Sequence, residues 1–153
     1  MRELPARRLE ASPLPDFCRL PAVFAWFVVG ALTVTVMWLA PGQTRGWSGY
    51  SVAVLFVSWL ALVIAVVLCK SRPWLQRLPG RWPYLGAWLL IMLIVVAASA
   101  AVHWLDASLQ MPFITASMGA FVRDNAVITA LLGAAMLRYF YVLAQWQARL
   151  AAV

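Results

Sequence analysis

The chain has 153 residues, 65% of them hydrophobic and 11% charged, with a mean hydropathy of +0.85. A fold of this size cannot hide so much apolar surface from water, so lipid has to cover the remainder. The formal charge of +7 does not mark a nucleic-acid binder, which needs a soluble basic face; here the arginines stand between hydrophobic runs, as the Lys/Arg bias of cytoplasmic loops requires.

A bilayer core of ~30 Å takes ~20 apolar residues per helix, and four stretches meet or approach that length. The fold class expected is all-α, an integral membrane four-helix bundle with both termini in the cytoplasm. Residues 1–20 read as a cytoplasmic tail. Arg2, Arg7, Arg8 and Arg19 stand there against Glu3, Glu10 and Asp16, while Pro5, Pro13 and Pro15 break any long helix. Pro21 suits a first helical turn, and 22–40 carries no charge and forms span one. It is read as an uncleaved anchor, because the apolar run is long for a signal peptide and Trp38 stands where cleavage before Pro41 needs a small residue.

The polar turn 41–46 lies between Trp38 and the pair Trp47 and Tyr50, aromatic residues typical of headgroup depth. Its shortness makes spans one and two antiparallel neighbours. Span two covers 50–69 and ends at Lys70. Residues 70–83 then hold Lys70, Arg72, Arg77 and Arg81 with no acid, among Pro73, Pro79 and Pro83, which is the strongest cytoplasmic signal in the chain. Span three, 84–105, passes through Ala97, Ala98, Ser99, Ala100 and Ala101, small residues that let helices approach closely.

The second outer connection, 106–118, has no basic residue. Span four, 120–141, is interrupted by Arg123 and Asp124, and at 1.5 Å per residue Arg123 lies roughly 22 Å from Arg138, less than the ~30 Å core. That places Arg123 and Asp124 at or just below the outer interface. Ten Lys and Arg on one side against Arg45 and Arg123 on the other orient the chain with its N-terminus, middle loop and C-terminus inside.

Ionisable residues at membrane depth are candidates for function. His103, Asp106, Arg123 and Asp124 all fall at the outer ends of spans three and four. Neighbours in sequence do not face each other on a helix, so Arg123 and Asp124 each need another partner. One reading pairs Arg123 with Asp106, with His103 nearby, in a cluster reporting on pH or ligand; the plainer reading lets all four reach for headgroups. Ala126, Ala130, Gly133 and Ala134 form a small-residue stripe suited to close packing, within one chain or between two. No metal-spaced cluster, phosphate-binding loop, nucleophile with a base, or midplane carboxylate is visible, so neither a cofactor nor catalytic machinery is expected. Cys18 and Cys69 lie beside the inner ends of spans, where the compartment is reducing, and are expected to remain thiols. Residues 142–153 space Leu143, Trp146 and Leu150 by three and four, the pattern of a helix leaving the membrane toward a partner helix.

Three stretches carry a resemblance: Asp16-Phe17-Cys18; Phe121-Val122-Arg123-Asp124-Asn125-Ala126; and Leu137-Arg138-Tyr139-Phe140-Tyr141-Val142 followed by Gln145-Trp146. The chain resembles the N-terminal membrane domain of AlgZ/FimS-type sensor histidine kinases of the LytS-like group. The resemblance implies a dimeric sensor in a bacterial inner membrane, with 142–153 beginning a linker helix toward a cytoplasmic kinase and a LytTR-type response regulator as downstream partner. It also favours a dimer contact for the alanine stripe. Signal would pass through span four, its inner end held at headgroup depth by Arg138, Tyr139, Phe140, Tyr141 and Trp146; the same residues also suit a plain aromatic belt. The competing readings are a small dimeric four-helix transporter and a non-catalytic subunit of a membrane assembly.

Overall fold

A computed structural model describes residues 18–39, 46–110 and 114–153. The expectations for most of the basic tail and for Arg45 lie outside the described residues. The described residues hold four helices, α1 (Leu20–Leu39), α2 (Trp47–Leu75), α3 (Trp82–Ser108) and α4 (Met118–Ala151), joined by short connections.

All four are long and apolar enough to cross a membrane, and only 17% to 28% of the most apolar stretch of each is buried in the protein. The rest of each stretch needs lipid, so the architecture is that of a multi-pass membrane protein. Phe24, Leu55, Leu93 and Leu131, each at least 66% exposed, represent the outward faces.

α2, α3 and α4 extend past the expected apolar runs at both ends. Pro73 sits inside α2, where a break is expected from sequence. It falls two residues before the last helical residue, so little of the helix lies beyond the backbone bond it removes. The chain then turns through Gly80, whose φ of 64° is open to glycine at little cost. At 34 residues, α4 is about 51 Å long, a single rod from the α3–α4 connection past Tyr141.

Packing follows sequence order. α1 lies on α2, α2 on α3 and α3 on α4, while α1 and α4 have no Cα atoms within 8 Å of each other. The four apolar helices expected are therefore arranged as an open series. Short turns force each neighbour to be antiparallel, but lipid is as apolar as a leucine side chain and supplies no force to close the ring.

α3 is the spine of the series. Pro83, Ala87, Ile91, Val95 and Ser99 recur every four residues on it and are its buried positions, and Ala87, Ile91, Val95 and Ser99 are 0% to 1% exposed. Of the small-residue patch expected to drive packing, Ser99 is buried whereas Ala97 and Ala101 are exposed. The four-residue stripe, not the local run of alanines, makes the contact. α1 comes close to α2 at Gly30, where a Cβ would meet Val57 Cγ1 at 2.6 Å.

Cys18 and Cys69 are joined by a disulfide, their Cα atoms 5.2 Å apart, which overturns the expectation of two separate thiols. The α1–α2 hairpin brings the start of α1 beside the last turns of α2, within bridging range. Compartment was the only guide from sequence, and it says nothing of distance.

Candidate functional site

Both ends of the α3–α4 pair hold polar side chains, and they are built differently. At the end where α4 begins, called outer after the orientation expected from the sequence, with the opposite end called inner, α4 starts at Ser117, whose hydroxyl accepts from Ala120 N at 3.4 Å, a side-chain N-cap. Asp106, near the end of α3, accepts from the backbone N–H of Ile114 at 3.2 Å. His103 Nε2 lies 3.2 Å from the carbonyl oxygen of Ala116, and its ring stands 6.2 Å from Phe121. Asp106 and His103 therefore fasten the α3–α4 connection to α3.

Arg123 and Asp124 pair with each other, contrary to expectation. Arg123 Nε donates to Asp124 Oδ1 at 3.0 Å, and the second guanidinium nitrogen lies 3.0 Å from the same oxygen. The arginine side chain is long enough to curl around the helix at an exposed position, which the face-to-face rule for short contacts does not cover. Arg123 and Asp106 are not brought together in a salt bridge among the described residues. With the side chains 72% and 62% exposed, the Arg123–Asp124 pair contributes little to stability.

One turn inward lies a contact that sequence reasoning did not single out. Asn125 Nδ2 donates to Ser99 Oγ at 3.2 Å, and Ser99 is 0% exposed. In an apolar environment an unpaired amide or hydroxyl is costly, so this bond fixes the register of α4 on α3. The pairing signal was an Asn just inside the outer end of one span and a Ser near the matching depth of its antiparallel neighbour.

The alanine stripe of α4 faces α3 in part. A Cβ on Gly133 would meet Trp88 Cδ1 at 3.6 Å and Ile91 Cγ2 at 3.9 Å, and Trp88 Nε1 donates to the carbonyl oxygen of Ala130 at 3.1 Å. Gly133 and Ala130 thus serve packing within the chain. Ala126 is half-buried, and Ala134 is exposed.

At the inner end Tyr84 and Tyr141 meet edge to face, centroids 5.2 Å apart and planes at 85°, a favoured aromatic geometry. Phe140 is buried at 8% exposure, while Tyr139 and Trp146 point outward at 59% and 60%. The signal-end residues thus divide: Phe140 and Tyr141 hold α4 on α3, and Arg138, Tyr139 and Trp146 are exposed. A groove of about 750 Å³ opens here between the two helices, lined by Arg81, Tyr84, Leu85, Trp88, Ala134, Leu137, Arg138, Tyr141, Val142 and Gln145. No sequence signal announced it, because Arg81 and Arg138 are 57 positions apart and meet only through the antiparallel pairing.

Among the described residues no group of three His, Cys, Asp or Glu side chains is placed to hold a metal ion. No family model matches the chain, and no curated protein or solved structure matches it either.

Proposed function

We propose that this chain is the membrane sensor domain of a two-component histidine kinase of the AlgZ/FimS type, acting as a homodimer in a bacterial inner membrane. The observation that carries the reading is α4, a 34-residue helix that begins at the outer polar connection and continues without interruption through the Arg138–Tyr141 run to Ala151. A rigid rod of this kind carries displacement or rotation from one side of the bilayer to the other. Its last turns space Leu143, Trp146 and Leu150 for a partner helix, with Trp146 and Leu150 60% and 71% exposed, as a helix awaiting a second copy would present them.

A signal of this kind requires two arrangements of α4 that differ in ligand affinity. The Tyr84–Tyr141 contact, the Trp88–Ala130 bond and the Ser99–Asn125 bond are points where α3 would resist or permit the change. The downstream partners under this reading are a kinase domain and a LytTR-type response regulator.

The test is a set of fusions in which Val153 is joined to the cytoplasmic half of a histidine kinase with zero to seven inserted residues. Autophosphorylation is expected to rise and fall with the helical period of ~3.6 residues, since each insertion rotates the kinase relative to α4. Activity independent of insert length rejects transmission through α4.

A further inference from the structure

We infer that the groove between the inner ends of α3 and α4 is a binding site for one anionic phospholipid, its phosphate held between Arg81 and Arg138 and an acyl chain lying toward Trp88 and Ala134.

The first support is charge. Arg81 caps the start of α3 and Arg138 lies one turn before Tyr141 on α4, and both line a groove that has no acidic residue in its wall. The acids of α3 and α4, Asp106 and Asp124, sit at the opposite end and are engaged there with Ile114 N and Arg123. Among the described residues no carboxylate lines this groove, so the two cations at this end of the antiparallel helix pair look to an anion from outside the wall. Basic recesses between membrane helices on the cytoplasmic side take lipid headgroups for this reason.

The second support is polarity along the groove. The wall changes from Arg81, Tyr84, Tyr141 and Gln145 at the mouth to Leu85, Trp88, Ala134 and Leu137 deeper in the bilayer. Trp88 commits its Nε1 to Ala130, and the deep end therefore presents ring carbon and aliphatic surface. A small soluble phosphate satisfies only the mouth. A phospholipid satisfies both ends at once, and its acyl chain enters from the bilayer that the exposed apolar faces already require. Tyr84 and Tyr141, locked edge to face, set the groove wall at headgroup depth. The site stands whether or not α4 carries a signal.

Native mass spectrometry of the full chain, released from detergent after titration with phosphatidylglycerol or phosphatidylcholine, tests the assignment. One phosphatidylglycerol per chain is expected to be retained, with a preference over phosphatidylcholine on the order of tenfold or more. The preference is expected to vanish in the R81Q/R138Q double variant and to persist in R123Q, which removes a cation from the other end. A134F keeps every charge and fills the groove floor, and it is expected to expel the lipid; it carries the test if the double variant does not fold. Equal retention of the two lipids overturns the assignment, as does equal loss in R123Q and R81Q/R138Q. Full displacement by inorganic phosphate reassigns the mouth to a soluble anion, and a two-chain complex that excludes the lipid reassigns the groove to a second copy.

Discussion

The two ends of the α3–α4 pair use similar residues to opposite effect. At the outer end the four ionisable groups find nearby partners: Asp106 holds Ile114, His103 lies against Ala116, and Arg123 folds onto Asp124. At the inner end Arg81 and Arg138 share a groove wall without an acid, and aromatic rings rather than ion pairs join the helices. An end whose charges are internally matched is a fastening. An end with matched rings, whose cations meet no acid in the groove wall among the described residues, is open to something from outside.

The strongest way to break the comparison is to remove the inner wall. Trp88→Ala deletes both the indole that packs on Gly133 and the donor to Ala130, and is expected to cost about 3 kcal/mol, read as a lowered midpoint in thermal unfolding in detergent. A loss near zero would mean that the inner ends are not held by this contact. Next is Asn125→Leu, which leaves the buried Ser99 hydroxyl without its donor; about 1 kcal/mol is expected, and Ser99→Ala in the same background should recover part of it. Asp106→Ala removes only the hydrogen bond to Ile114 and should cost roughly 0.5–1 kcal/mol, with faster hydrogen exchange confined to the α3–α4 connection. Smallest is Arg123→Leu, expected within about 0.5 kcal/mol of the parent because the ion pair is exposed. A large loss there would show that the outer end depends on Arg123 after all and erase the contrast.

Part of this contrast was legible in the sequence. Hydrocarbon-length runs gave all four helices, and the aromatic residues flanking them were identified as interfacial; Thr35 Oγ1 and Tyr50 Oη, 2.9 Å apart, and the Trp38–Tyr50 ring pair at 5.7 Å now tie the outer ends of α1 and α2 together. His103, Asp106, Arg123 and Asp124, expected at the outer ends of spans three and four, lie where α3 ends and α4 begins. Their pairing was not legible, because the reach of an arginine side chain and the shape of a short connection do not follow from helical spacing. The groove, the Ser99–Asn125 bond and the Gly30–Val57 approach each depend on the register between two helices, which apolar periodicity leaves undetermined when every face is apolar. The open order of the helices was hidden for the same reason.

Cys18 and Cys69 add a link between α1 and α2 at the inner end. Purified without reductant, the chain should show both cysteines resistant to alkylation until they are reduced, and treatment of the reduced chain with diamide should restore the link within one chain. Failure to join under oxidation would contradict the adjacency of the two helix ends.

Orientation decides which leaflet the groove addresses and which way α4 would carry a signal. The most direct measurement places a single cysteine at Gln76, between α2 and α3, in a chain with Cys18→Ser and Cys69→Ser, and treats cells with a membrane-impermeant maleimide. Protection in intact cells and labelling after permeabilisation are the result the account predicts; labelling in intact cells would contradict it.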